Sequence, residues 1–314
     1  NPFIHPTTFR RGYRGHLVDA DGVDYVDFLS AWGANLLGYG YRPVARAAAR
    51  QARRFSGLGL PYAGFHELMA LLGKIIPCAE SVRFGKNGSD VTAAAVRLAR
   101  AVTGREKVVY RGFHGFHDWY MASTECRGIP HALRSLMVPL GELSLRSVEE
   151  TLARHRGEVA WLIVNPVLPP IPTSEEVGEI VALAHRHGAL VVFDEMISGF
   201  RVALAGMQDV WGVLPDLACY GKAIANGLPL SVLAGRARWM EALPSVNYGL
   251  TFEAEAVSIA AALETIAQVR ERGVLATLAR MGRRVKSDFE REAASFGVEA
   301  VAAGPDGAPG FWFA

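Results

Sequence analysis

Four short stretches of the chain carry side chains that could do chemistry. In Phe193-Asp194-Glu195 an apolar run ends in a carboxylate. Burying an acid is costly unless it is paired or hydrogen-bonded, so the stretch is either a cap or salt bridge, or an acid placed at a ligand-binding edge. Lys222 stands in Tyr220-Gly221-Lys222-Ala223-Ile224-Ala225-Asn226-Gly227, and no other charge occurs from Leu217 to Gly235. Desolvation lowers a lysine pKa and frees the amine as a nucleophile for carbonyls; the alternative is a side chain that snorkels to solvent. Asn87-Gly88-Ser89-Asp90 opens an Ala-rich helical stretch and is an anion site at a helix start or an ordinary N-cap. Phe113, in Phe113-His114-Gly115, offers a ring that either stacks on a flat ligand or packs in the core.

Combined, the four supply a phosphate cradle, an aromatic face, a carboxylate and an isolated lysine. That is the set pyridoxal 5'-phosphate requires: a Lys Schiff base, an acid for the pyridine nitrogen, and groups for ring and phosphate. Asp194 precedes Lys222 by 222 − 194 = 28 residues, about one strand–loop–strand unit. His114 and His117 form an H-x-x-H followed by Asp118, but no further ligand cluster accompanies them, and no metal is expected.

The elements that must position these residues alternate along the chain. Leu68, Leu71, Leu72, Ile75 and Ile76 trace a helical stripe, as do Val177, Ile180, Val181 and Ala184. The second of these has Thr173 and Glu176 as a capping box and Gly188 as a stop. Val91 to Val102 and Val257 to Val269 are also helical. Between them lie apolar, non-alternating runs: Val82 to Phe84, Lys107 to Tyr110, Val159 to Val164, Ala189 to Phe193, Leu217 to Tyr220 and Leu230 to Ala234. Such runs suit strands covered on both faces. Alternation of this kind from about Pro43 to Val269 predicts an α/β fold with a mostly parallel sheet and helices on both faces. Ligands then sit beyond the carboxyl ends of the strands, where all four stretches fall. Leu17 to Leu29, with its Asp21-Gly22 turn, predicts a β-hairpin. The tail from Val298 restarts a strand-like pattern and stops on GFWFA, which reads as unfinished.

The chain has 314 residues and a net charge of 33 − 31 = +2, with no basic or acidic block, so nucleic acid is not an expected partner. No apolar run approaches the ~20 residues that span a bilayer. Arg10, Arg11 and Arg14 have no apolar segment behind them, so Asn1 to Gly15 is not read as a secretory signal. Cys78, Cys126 and Cys219 are odd in number and widely spaced, as in reduced cytoplasmic thiols.

The sequence resembles the class III pyridoxal-phosphate-dependent aminotransferases, in the branch that includes glutamate-1-semialdehyde 2,1-aminomutase. The resemblance runs in order through DADGVDYVDFLSAWGANLLGYGYRPV, ESVRFGKNGSDVTAAAVRLARAVTGREKV, FHGFHDWY, GALVVFDEMISGFR, GVLPDLACYGKAIANGLPLSVLAGR and LTFEAEAVSIAAALETI, and covers nearly the whole chain. It implies a fold type I transferase with a smaller domain built from both chain ends. The expected division is 1–45 as an N-terminal segment, 46–262 as the cofactor-binding domain and 263–314 as the start of a small domain.

By the same resemblance, Lys222 is the Schiff-base lysine and Asp194 the partner of the pyridinium nitrogen. Met196 and Phe113 take the two faces of the ring. Asn87, Gly88, Ser89 and His114 belong to the cofactor contacts, with Gly88 and Ser89 on the phosphate. Thr251 reaches the phosphate of the other subunit in a homodimer with shared active sites, and Trp32 lines the substrate pocket. The implied activity is transfer of an amino group from an amine or amino-acid donor to a carbonyl acceptor. The alternatives are an intramolecular aminomutase of the glutamate-1-semialdehyde type and a non-catalytic cofactor-binding homologue. Two departures stand out. Asn165-Pro166 replaces the usual Glu-Pro, which tilts the substrate away from glutamate-1-semialdehyde. Glu253-Ala254-Glu255-Ala256 replaces a small residue, Gly, Asn and Pro after the phosphate-side threonine.

Overall fold

A computed structural model describes residues 8–313 of the chain. Residues 1–7 of the N-terminal stretch and Ala314 of the tail lie outside the described residues. Three strands, β1 (Phe9–Tyr13), β2 (His16–Asp19) and β3 (Asp24–Val26), form a small antiparallel sheet. The expected hairpin is therefore its β2–β3 half. The Asp19 carboxylate accepts from Asp21 N and Val23 N and so fixes the Asp21-Gly22 turn.

The central sheet comprises β4 (Ser81–Gly85), β5 (Lys107–Arg111), β6 (Met137–Pro139), β7 (Val159–Val164), β8 (Leu190–Asp194), β9 (Leu217–Tyr220) and β10 (Ser231–Gly235). Its order is β4-β10-β9-β8-β7-β5-β6. Pairings from β6 across to β9 are parallel, while β10 runs antiparallel to both β9 and β4. The short connection from β9 to β10 permits this reversal, since parallel neighbours need a long crossover. The consequence is local: the carboxyl end of β9 and the amino end of β10 reach the same edge of the sheet.

Every residue of β7, β8, β9 and β10 is buried, which explains why these runs do not alternate. One core cluster joins Leu68, Leu72 and Ile76 to Phe84, Tyr220 and Ile259. A second packs Val91, Ala95 and Leu98 on Trp161, Val192 and Cys219, and a third packs Val177, Ile180 and Ala184 on Leu162, Val191 and Phe193. Helices thus cover both faces. Thr173 and Glu176 make the expected capping box of helix Ser174–Arg186, and Gly188 follows it with φ +72°.

The chain closes with helix Val274–Ser295 and the antiparallel pair β11 (Ala300–Ala303) and β12 (Gly310–Phe313). That 22-residue helix was not among the sequence expectations. The expected divisions at 45/46 and 262/263 fall inside helices Arg42–Ala52 and Ala256–Glu271.

Candidate active site

The carboxyl edge of the sheet opens into a cavity of about 380 Å3. Helix Gly88–Thr103 starts there directly after β4. Asn87 caps it by accepting from Asp90 N, while the Asp90 carboxylate accepts from Lys86 N and Asn87 N at 2.9 Å each. This reciprocal box leaves the N–H groups of Gly88 and Ser89, the first two helical residues, without intrahelical acceptors. They and the helix dipole make an anion-binding corner. Ser89 Oγ accepts from Phe116 N at 2.8 Å, which docks the loop after β5 against the corner and leaves the hydroxyl proton free to donate. Thr92 Oγ1 donates to His114 O at 2.9 Å and fixes the same loop.

Asp194 ends β8 and is 3% exposed. Its Oδ2 lies 2.6 Å from His114 Nδ1, and its Oδ1 accepts from Met196 N at 3.2 Å. His114 Nε2 lies 3.1 Å from Arg111 O. A backbone carbonyl can only accept, so Nε2 carries the N–H toward Arg111 O. His114 thus both lines the cavity and braces Asp194.

Lys222 follows β9 at the start of a single 3-10 turn, Lys222–Ala225. Burial lowers its pKa, Asp194 opposes that shift, and Arg201 adds to it. Its φ is +47°, a left-handed conformation that costs a residue with a β-carbon about 1–2 kcal/mol. The turn is held by Asn226, itself at φ +46°. Asn226 Oδ1 accepts from Leu37 N at 2.7 Å and its Nδ2 donates to Gly38 O at 3.2 Å. Strain kept at a lysine by a surrounding clamp is typical of functional positions.

Met196 lies under the cavity between two glycines. A β-carbon on Gly88 would come to 3.0 Å from its sulfur, and one on Gly221 to 2.8 Å. Phe113 also lines the cavity, is largely exposed, and meets Tyr120 edge-on at 5.2 Å.

The structure therefore brings Asn87, Gly88, Ser89, Phe113 and His114 together with Asp194, Met196 and Lys222 around one cavity. It does not bring Thr251 or Trp32 into the cavity wall. Thr251 is exposed on the loop before helix Ala256–Glu271. It does not cap that helix: Glu255 does, accepting from Val257 N and Ser258 N. Trp32 is 61% exposed, two residues before the cavity-lining Ala34. The sequence reading missed Lys86, Ile197 and the Gly227–Leu230 wall. The Gly227–Leu230 wall exists because β10 is reversed, a direction that an apolar run does not encode. Among the described residues no group of three His, Cys, Asp or Glu is placed to hold a metal.

Comparison with known proteins agrees with this geometry. A model of the family described as aminotransferase class-III matches residues 4–303. The 3-aminobutyryl-CoA aminotransferase of Cloacimonas acidaminovorans is 32% identical over 305 residues, spanning 95% of this chain and 73% of that protein. The glutamate-1-semialdehyde 2,1-aminomutase of Roseiflexus castenholzii is 34% identical over 330 aligned residues, spanning 98% and 75%. Among solved structures, the PLP internal aldimine form of Sphingopyxis sp. MTA144 FumI protein matches with a TM-score of 0.91 and 30% identity, over 98% of this chain and 76% of that one.

Proposed function

The chain belongs to the class-III aminotransferase family, and we propose that it moves an amino group from an amine or amino-acid donor to a separate carbonyl acceptor, with Lys222 and Asp194 as its catalytic pair. Pyridoxal phosphate-dependent amino transfer is the activity of the family. The observation that carries the assignment of residues is that a half-buried, strained lysine just after β9 and a buried carboxylate at the end of the adjacent β8 face one cavity with a helix start.

The residues fit the cofactor. The free N–H groups of Gly88 and Ser89 suit a phosphate, and the glycines at 88 and 221 leave Met196 as a flat floor. Asp194 has one oxygen committed to His114 and a single longer contact on the other, so it keeps acceptor capacity for a protonated ring nitrogen. When bound, pyridoxal phosphate supplies a carbonyl carbon for amino groups and a ring that takes up the electrons left when a carbon loses its proton. Asp194 would hold a proton on the ring nitrogen, and His114 would hold Asp194 in orientation. Phe113 and Met196 would fix the plane of the ring between them. Lys222 Nζ, whose pKa burial lowers, would take a proton from the substrate carbon and return it.

Thr251 and Trp32 complete the reading from outside the cavity wall. Leu250, Thr251 and Phe252 are exposed together, as suits a loop handed to a second copy of the chain. The proposal therefore includes a homodimer with shared sites and Trp32 at the substrate entrance. It includes a cytoplasmic setting, supported by three free cysteines, and the division 1–45, 46–262 and 263–314. No helix among the described residues is long and apolar enough to cross a membrane.

Intermolecular transfer is preferred to intramolecular exchange because Asn165, with Oδ1 accepting from Val167 N at 3.2 Å, puts a neutral amide on the cavity wall. The test is an isotope one. Supplied with a 15N-labelled donor and an unlabelled acceptor, the protein should place label in the acceptor, and Lys222→Ala should abolish it. Label confined to the original carbon skeleton would assign the mutase reaction instead.

A further inference from the structure

The cavity wall holds a second lysine. Lys86, between β4 and the cap Asn87, donates from Nζ to Glu255 Oε2 at 2.9 Å and to Pro229 O at 3.0 Å. The two side chains are 19% and 17% exposed, so the pair sits largely out of water. Glu255 is itself held as the cap of helix Ala256–Glu271, accepting from Val257 N at 2.6 Å and from Ser258 N at 3.1 Å. Lys86 therefore has a fixed position beside the Gly88–Ser89 corner.

The charges around that corner are unbalanced for an anion. The Asp90 and Glu255 carboxylates both lie against Lys86, one on its backbone N–H and one on its Nζ. Of the cavity-lining residues only Lys86 and Lys222 are lysine or arginine, and Lys222 is on the other side, at the end of β9. Without Lys86, only neutral donors, the Gly88 and Ser89 N–H groups and hydroxyls, would hold a phosphate dianion near two carboxylates. An ammonium group has three N–H donors, and Lys86 has committed two.

We propose that Lys86 is the cation of the phosphate site in this chain, oriented by Glu255 and Pro229 O and offering its third N–H to a phosphate oxygen. The proposal rests on the reading of the cavity as a pyridoxal phosphate site. An apolar residue of similar length would leave the corner with no full positive charge beside the Asp90 and Glu255 carboxylates.

The test compares two ligands on the apo protein. Pyridoxal phosphate and pyridoxal share ring and aldehyde and differ in the phosphate. In Lys86→Met, the Kd for pyridoxal phosphate should rise about tenfold or more, the scale of a lost charge-assisted hydrogen bond, while that for pyridoxal stays within about twofold of wild type. Lys86→Arg, which keeps the charge, should retain most of the affinity for the phosphate ester. Inorganic phosphate should compete with pyridoxal phosphate less well in Lys86→Met than in wild type. Equal weakening of both ligands would make Lys86 a mere strut and overturn the proposal, as would an unchanged Kd for pyridoxal phosphate. Should Lys86→Met not fold, Lys86→Gln carries the same comparison. Wild-type protein that bound neither ligand would instead overturn the cofactor reading, so the two failures are distinct.

Discussion

Two buried aspartates sit at opposite ends of neighbouring strands, each against a histidine. Asp194 ends β8, with His114 Nδ1 at 2.6 Å. Asp216 immediately precedes β9, with His185 Nε2 at 2.7 Å. The pairs look alike until their remaining contacts are compared. Asp216 also accepts from Val191 N at 2.9 Å and Trp239 Nε1 at 2.9 Å, and Arg238 lies at 3.5 Å. Burial opposes its ionisation, but His185, Val191 N and Trp239 outweigh that and hold its carboxyl below the ordinary range. Asp194 has the histidine and one longer contact, and it borders a cavity. A saturated buried acid staples a fold, whereas an unsaturated one that faces a cavity is available to a ligand.

Glu195 shows that proximity to the site does not decide the matter. It adjoins Asp194 in sequence, yet it is fully buried and turned inward. It accepts from Met207 N at 2.9 Å, from Gln208 N at 3.0 Å and from the Ser198 hydroxyl. It belongs with Asp216. Burial nevertheless pushes its pKa up to about 7.

Four experiments separate the acid that serves the cavity from those that serve the fold. Asp194→Asn should leave the fold intact and cut turnover at least ~10²-fold, the scale of a lost preorganised electrostatic contact. Near-normal steady-state turnover would remove Asp194 from the chemistry. Asp216→Asn should do the opposite: turnover within about threefold, and a loss of about 1–3 kcal/mol in denaturant unfolding, as when hydrogen bonds to a buried charged acceptor are lost. The depressed pKa of Asp216 means its contribution is present at neutral pH and is lost as pH falls through the folded-state value. Unfolding of Asp216→Asn should therefore depend less on pH in the acid range than wild type does.

Glu195 carries the reverse sign. Its folded pKa of about 7 exceeds the ordinary 4.5, so the folded state holds the extra proton between those values. The stability it gives is full below the lower value and is lost as pH rises through the upper one. Glu195→Gln should flatten that slope, by about 1–3 kcal/mol across the window, with turnover within about threefold. An unchanged slope would contradict the assignment.

The smallest expected signal is at Thr251. Thr251→Ala subunits, provided they are impaired alone, can be paired with Lys222→Ala subunits. If the threonine crosses the interface, one site of the heterodimer is whole and activity should recover to about half of wild type. Activity at the mean of the two parents would place Thr251 in its own subunit.

Much of this was legible in the sequence because it is local. Asp194 closes an apolar run and Lys222 is alone in an uncharged one, so strand ends and chemistry coincide in the text of the chain. The capping box at Thr173 spans only four residues, Thr173 to Glu176. What could not be read is what depends on distant partners or on direction. Lys86 looks like a surface charge until Glu255, 169 residues away, is brought to it. His114 lines the cavity as expected of a cofactor contact, but its pairing with Asp194, 80 residues away, is not written in the local sequence. The Gly227–Leu230 wall follows from the reversal of β10. Helix Val274–Ser295 was legible too, in the stripe Leu275, Leu278, Met281, Val285 and Phe289, but the sequence expectations did not use it; of its residues only Gly282 is buried.

The central claim is that Lys222 is the amine that carries the cofactor. Two lysines, Lys222 and Lys86, line the cavity, so one measurement separates them. Borohydride reduction of the protein loaded with pyridoxal phosphate, followed by peptide mapping, should find the cofactor fixed to Lys222 through a secondary amine. The Lys222→Ala variant should lack both the adduct and the yellow absorbance band. A wild-type adduct on Lys86 or on any other lysine would contradict the account.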